Sequence, residues 1–435
     1  MKAKLFFIFT AVILLTGQVV FPSCGNDEEG DTISNENLPT VADEIYDEYY
    51  NSSSSDKKTE YTYDLSDVLD KILVVELLLD DNEDDVTLDD LIKIKTDADA
   101  GDAEAQFKFG RCYDKGNGVV QNYTIAIEWY KKSAEQGYAA AQYRLGKCYN
   151  DGNGVIKDYP TAVEWFKKAA LQGNENAICN LGFCCENGYG VKQNYNTAAK
   201  LYQKVSANNA MAQSNLGWCY YTGNGVNQNY NKAIEYLKKA IVQDNANAQY
   251  GMGLCYYYGN GVLQDFNEAV EWFKKSADQG YTNAQVGLGI CYREGNGVPK
   301  DESKAFELFQ TAADQGNSNA QNRLGVCYDN GYGVNKDYPK AFEWFKKASL
   351  QGNEYAQCNL GILYFYGRGV NKNYYTAFEY FKRAANKGYA TAQYYLGWCY
   401  EHGQGTTKDI DKAKEWYQKA ADQGNNEAKE RLKNM

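Results

Sequence analysis

The stretch GRCYDKGNGV, Gly110 to Val119, decides the fold because it returns. A single glycine-rich loop that opens a helix after a strand would suit a phosphate group. Here the phrase recurs as GKCYNDGNGV from Gly146, GFCCENGYGV from Gly182, GWCYYTGNGV from Gly217 and GLCYYYGNGV from Gly253. It continues as GICYREGNGV from Gly289, GVCYDNGYGV from Gly325, GILYFYGRGV from Gly361 and GWCYEHGQGT from Gly397. Nine copies at near-constant spacing are architecture and not a ligand loop. An alanine keeps the phase, from Ala105 and Ala141 through to Ala428, in steps of 36 residues, with one step of 35 between Ala177 and Ala212. A period of this length belongs to a solenoid, in which each unit buries its apolar faces only against its neighbours.

One unit, Gly137 to Gln172, shows how the residues do this. At 100° per residue, Ala141, Leu145, Cys148 and Tyr149 share one face of a helix expected over 139–151. Gly152 and Gly154 end that helix, since a glycine past the last turn adopts the left-handed conformation without strain. Val155 drops back onto the apolar face. A second helix is expected over 159–171, with Pro160 in the first turn, where its missing N–H is no loss. Ala162, Trp165, Phe166 and Ala169 form its packing face, and Lys167 and Lys168 its solvated side. In the third unit one residue is missing at 205–208, where other units read Gln-Gly-Asn, and a shortened turn is expected there.

The pattern A-Q-x-x-L-G-x-C-Y-x-x-G-x-G-V, followed by D-Y-x-K-A-x-E-W-F-K-K-A-A-x-Q-G-N, resembles the Sel-one-like repeat, a relative of the tetratricopeptide repeat. The resemblance covers 101–435: nine full units and a partial tenth. It implies an all-α fold, a right-handed α/α solenoid, whose first helices line the concave surface. It also implies an adaptor or scaffold role in protein complexes; it does not imply a substrate.

Charge divides the chain. Residues 25–100 hold 24 acids against 5 bases, whereas 101–435 hold 33 acids against 38 bases. The listless acidity of one segment and a near-neutral array leave no strongly basic face for nucleic acid. Residues 1–24 resemble a bacterial lipoprotein signal: Lys2 and Lys4, an apolar run Leu5 to Val20, then Phe21-Pro22-Ser23-Cys24. Cys24 would be the lipidated residue, although Phe21 and Pro22 depart from the usual motif and leave ordinary cleavage or a retained anchor open. The expected localisation is an exported outer-membrane or cell-surface lipoprotein, with a periplasmic or secreted protein as the alternative. Residues 25–64, acidic and serine-rich, read as a disordered tether. Residues 65–100 read as capping helices. The apolar face from Leu65 to Leu79 needs a cover, from the first repeat or from a partner, and 87–100 reads as the second helix of a degenerate repeat.

Eight cysteines occupy one repeat position: Cys112, Cys148, Cys184, Cys219, Cys255, Cys291, Cys327 and Cys399. Equivalent helices of stacked units lie about 10 Å apart, beyond the roughly 4.4–6.8 Å that a disulfide allows between Cα atoms. Leu363 at the same position of the eighth unit marks an apolar slot, so these thiols read as packing groups. With His402 the single histidine, no metal cluster is legible, and no cofactor is implied. No unique Ser/His/Asp or Cys/His set stands out, which disfavours an enzyme.

The variable positions of the first helices carry rings. Tyr143 and Phe183 stand in early units; Trp218, Tyr221, Tyr250 and Tyr257 form one expected patch; Phe365, Tyr394 and Trp398 form another. Clustered exposed aromatics would be hot spots for a protein or extended peptide. The alternative is that the curvature of the stack buries the stripe against neighbouring helices. The expected function is a non-enzymatic adaptor of the cell envelope. Hydrolysis of cell-wall polymer, or carbohydrate binding, stands second. Solvent-facing rings at Trp218 and Trp398 would be removable without loss of stability.

Overall fold

A computed structural model describes residues 86–435. The signal segment, Cys24, the acidic tether and the apolar segment from Leu65 to Leu79 lie outside the described residues. The described residues form twenty α-helices and no strand. An initial helix α1 (Leu88–Asp99) precedes nine pairs. These are α2 (Ala103–Lys115) with α3 (Tyr123–Glu135), α4 (Ala139–Asp151) with α5 (Tyr159–Leu171), and α6 (Glu175–Asn187) with α7 (Tyr195–Val205). Next come α8 (Ala210–Thr222) with α9 (Tyr230–Ile241), α10 (Ala246–Tyr258) with α11 (Phe266–Asp278), and α12 (Thr282–Glu294) with α13 (Glu302–Asp314). The last are α14 (Ser318–Asn330) with α15 (Tyr338–Leu350), α16 (Glu354–Tyr366) with α17 (Tyr374–Asn386), and α18 (Ala390–His402) with α19 (Ile410–Asp422). A final helix, α20 (Asn426–Lys433), begins a tenth unit. Each helix packs on the next in sequence, so the array is an α/α solenoid.

The second unit shows why the motif folds this way. α4 ends at Gly152, whose φ of 80° is left-handed and lets its N–H reach the Cys148 carbonyl. Asp158 opens α5 by accepting from the Thr161 N–H, with Pro160 in the first turn. Gly146 lies where the Phe166 ring of α5 rests on the α4 backbone: a Cβ there would sit 2.7 Å from the ring. Gly154 meets the preceding unit in the same way, since its Cβ would fall 2.7 Å from the Tyr123 backbone at the start of α3. The two glycines of the G-N-G phrase therefore do different jobs. One stops the first helix, and the other lets units approach. Ala141, Ala162, Phe166 and Ala169 are fully buried at these contacts.

A buried glutamine on each first helix ties its unit together and to the unit before it. Gln142 of α4 donates from Nε2 to the Ala134 carbonyl of the previous unit, and its Oε1 accepts from Gln172 Nε2 at 2.8 Å. The same pairing recurs between Gln136 and Gln106, Gln279 and Gln249, Gln351 and Gln321, and Gln423 and Gln393. An amide buried as deeply as that of Gln142 needs partners, so the turn glutamine fixes the two helices of one unit and the bond to the Ala134 carbonyl fixes the register to the unit before. The third unit confirms the logic by omission. Its turn is one residue short, α7 is 11 residues long instead of 13, and Ile178 fills the glutamine slot.

Outside this core, a lysine covers each exposed edge of the second-helix tryptophans. Lys132 lies 3.8 Å from the Trp129 ring centre, Lys168 4.0 Å from Trp165 and Lys347 3.8 Å from Trp344. The Trp-Phe-Lys-Lys phrase thus splits into a ring on the surface, a ring in the core, and a cation three residues on that shields the first.

Candidate functional site

First helices of neighbouring units approach each other directly, as α8 does α10 and α12 does α14. Rings at their outward positions therefore meet across units. The Trp218 ring lies 5.8 Å from Tyr250 of the next unit and 5.4 Å from Tyr221 of its own helix. Its indole N–H donates to Asn247 Oδ1 at 2.9 Å, which also accepts from the Tyr281 hydroxyl. Tyr250 leans on Phe273 and Tyr281, and Tyr257 packs on Phe266 and reaches Phe273 at 6.3 Å. The second group is joined in the same way. Phe365 meets Trp398 edge-on at 5.0 Å, and Tyr395 links Phe365 to Tyr394. His402 stacks on Trp398 at 4.0 Å.

The structure brings the expected rings together but seats them deeper than the sequence pattern implies. Phe365 is buried, at 8% exposure, under Trp398 and beside Tyr374, so it belongs to the core. Trp218, Tyr221, Tyr250, Tyr257, Tyr394 and Trp398 are partly buried, each packed on a neighbouring ring. The reason is the close approach of first helices, which lays a ring of one unit over a ring of the next. Removal of the Trp218 ring would therefore open packing, contrary to the expectation of a neutral change. Tyr143 is partly buried on Phe166, while Phe183 stays 40% exposed beside Tyr189. Among the first helices, the rings that face water most are ones the sequence reading passed over: Tyr258 at 60%, Tyr366 at 49% and Tyr355 at 45%. The signal was present as the runs Tyr256-Tyr257-Tyr258 and Tyr364-Phe365-Tyr366, which wrap past the buried edge in the last turn of α10 and α16.

A family model for the Sel1 repeat matches residues 103–138, 139–174, 176–209, 210–245, 246–281, 282–317, 318–353, 354–389 and 390–425. The chain belongs to the Sel1 repeat family. Among solved structures it is similar to a protective antigen of uropathogenic Escherichia coli strains that displays an SLR fold, with 35% identity over 79% of this chain and 81% of that one, at a TM-score of 0.44. It is similar also to a Sel1 repeat protein from Oxalobacter formigenes, with 28% identity over 83% of this chain and 92% of that one, at a TM-score of 0.46. An immunity protein from Pseudomonas aeruginosa matches at 29% identity over 42% of this chain and 67% of its own, at a TM-score of 0.33. No curated protein matches the chain. Sel1 repeat proteins are in general protein-interaction scaffolds, and the fold is typically non-catalytic.

Within these Sel1 repeats the titratable groups serve the architecture. Where the core ring of the second helix is tyrosine, an acid stands ready for its hydroxyl. Tyr130 donates to Asp114 at 2.9 Å, Tyr202 to Glu186 at 2.7 Å and Tyr417 to Glu401 at 2.6 Å. Burial and the adjoining carboxylate push all three phenols well above their ordinary range. Asp329 is the exception: its ring partner is Phe345, its Oδ1 is buried without a partner, and burial raises its pKa. All eleven described cysteines are free thiols, and the eight at the repeat position are buried. Burial pushes Cys148, Cys255 and Cys291 up to about 12, which keeps them protonated and poorly nucleophilic. Among the described residues, no group of three or more His, Cys, Asp or Glu could hold a metal ion.

Proposed function

We propose that the protein is a non-enzymatic scaffold of the bacterial cell envelope that binds a protein or extended peptide on its first-helix face, the concave side of a stack of this kind. One observation carries the reading. The partly buried rings of α8, α10, α16 and α18 form two aromatic groups whose outer members, Tyr258 and Tyr366, stand largely in solvent. A ring anchored on one edge and open on the other offers area to a partner at little entropic cost, which is the property of an interface hot spot. Family membership supports the scaffold role. The envelope location rests on the lipoprotein-like segment that ends at Cys24.

Two experiments test the two halves. A photo-crosslinking residue at Tyr258 or Tyr366 should capture a discrete partner in cells, and one at Lys132 on the second-helix face should not. Equal capture from both faces would refute the face assignment. Cys24→Ser should move the protein from membranes to a soluble fraction; unchanged membrane association would remove the lipid anchor from the reading.

A further inference from the structure

Arg323 in α14 is a partly buried guanidinium with no ion pair or hydrogen bond among the described residues, yet none of its nitrogens is sealed from solvent. Its electrostatic neighbours are Arg293 and Glu294 of α12 and the phenols of Tyr257 and Tyr258 of α10. The one acid among them is fully engaged. Glu294 Oε1 accepts from Arg293 Nη2 at 3.0 Å, while Oε2 accepts from the Tyr257 hydroxyl at 3.1 Å and Asn296 Nδ2 at 3.2 Å. Asp329, on the same helix as Arg323, pairs at 4.0 Å with Arg368 instead. Two guanidinium groups therefore lie near one carboxylate that only Arg293 engages, and the five donors of Arg323 remain free. Burial and the nearby Arg293 charge both depress its pKa, so the protein alone holds this cation at a cost.

We propose that Arg323 receives a carboxylate from an acidic extended segment of the bound partner, with Tyr258 flanking it. This rests on the first-helix face being the binding face, and it names the chemistry of the ligand there. A planar carboxylate matches the guanidinium fork through two parallel hydrogen bonds. One carboxylate also balances the single excess charge. A phosphate dianion would overshoot it and would meet repulsion from Glu294. Tyr258, 60% exposed and packed at 5.0 Å against Tyr257, offers a wall for the apolar stem of a glutamate.

The test uses the full chain and two labelled probes, acetylated hexaglutamate amide and acetylated hexaglutamine amide, followed by fluorescence anisotropy at low salt. Hexaglutamate should bind and hexaglutamine should not. Arg323→Gln should weaken hexaglutamate about tenfold or more, and Arg323→Lys, which keeps the charge and loses the fork, by about threefold. Arg111→Gln, on an exposed position of α2, should leave binding unchanged. Because Arg323→Gln removes an unpaired charge, it should fold at least as well as the parent; if it does not, Arg323→Lys decides. Equal binding of the two probes, an unchanged affinity on loss of Arg323, or displacement of hexaglutamate by equimolar inorganic phosphate would overturn the proposal. If Arg323→Gln leaves the cellular cross-link at Tyr258 intact, the carboxylate site fails alone. If no cross-link forms anywhere on the face, the interaction reading fails with it.

Discussion

Phe345→Tyr should stabilise this protein, and the reason is written in three other units. Tyr130, Tyr202 and Tyr417 each donate to an acid sixteen residues earlier, at 2.6–2.9 Å. Asp329 stands the same distance before Phe345, and its Oδ1 is buried with no partner. That an aspartate is long enough is shown by Asp114, which accepts from Tyr130 at 2.9 Å. A hydrogen bond to a charged acceptor contributes about 1.5–3 kcal/mol, and desolvation of the added hydroxyl offsets part of it, leaving a net gain of about 1 kcal/mol. In an array of this length that corresponds to about 1–2 °C in Tm. The pH dependence has a definite sign. Burial raises the folded pKa of Asp329 above its ordinary 3.8, so its charge destabilises the fold once pH exceeds the folded value. A donor favours the charged form and lowers that pKa. The gain is therefore largest at pH 7 and shrinks below pH 3.8, where Asp329 is protonated in both states. Thermal and urea melts of the variant at pH 7 and pH 3, with and without Asp329→Ala, measure it. A gain that survives Asp329→Ala, or that is as large at pH 3 as at pH 7, would refute the pairing.

Three further outcomes are expected. Cys255→Ser should lower stability by about 1–2 kcal/mol, because it places a hydroxyl in an apolar slot, and native alkylation at pH 8 should spare the repeat-position thiols; rapid labelling of Cys255 or Cys291 before denaturation would contradict their burial. Asp244→Gly should raise stability by about 1 kcal/mol, since Asp244 holds a left-handed φ of 54° where other units place glycine; a lower Tm would show that its carboxylate contacts to Gln249 and Gln279 outweigh the strain. Trp218→Ala should lower stability by about 2 kcal/mol as well as weaken partner binding, through the lost contacts to Tyr221 and Tyr250 and the lost bond to Asn247; an unchanged melt would return the ring to solvent.

The helices were legible because their punctuation is local. Gly152 and Pro160 act within one turn of themselves, and the expected spans 139–151 and 159–171 are those observed. The apolar face containing Ala141, Leu145 and Cys148 was equally legible from the helical period. The depth of Phe365 and Trp218 was not, because it depends on how near the next unit's first helix stands, and no periodicity within one helix encodes that distance. The glutamine was visible as a letter of the motif, but its partner is Gln172, thirty residues on at the far end of the same unit. Only the joint loss of both in the third unit, where Ile178 replaces one and the turn is shortened, could have disclosed the pair before the structure did.

The same logic of pairs shows where stability stops explaining the sequence. A hydroxyl ring selects an acid, a turn glutamine selects a core glutamine, and a surface tryptophan selects a lysine three residues on. Each is one contact repeated, so a unit that breaks a pair without replacing it has forgone stabilisation that its neighbours keep. Ile178 is not such a break, since an apolar residue fills the slot and no polar group is stranded. Helix α14 is different: it carries Asp329 with a buried oxygen unpaired and Arg323 with no partner, six residues apart in one 13-residue helix. Both are charged and both are partly buried. Glycine stands at the Arg323 position in α10 and α12, asparagine in α8 and α16, and arginine, as Arg144, in α4. Within the fold neither charge has the partner that such groups find in other units, and a bound acidic segment would supply one for Arg323.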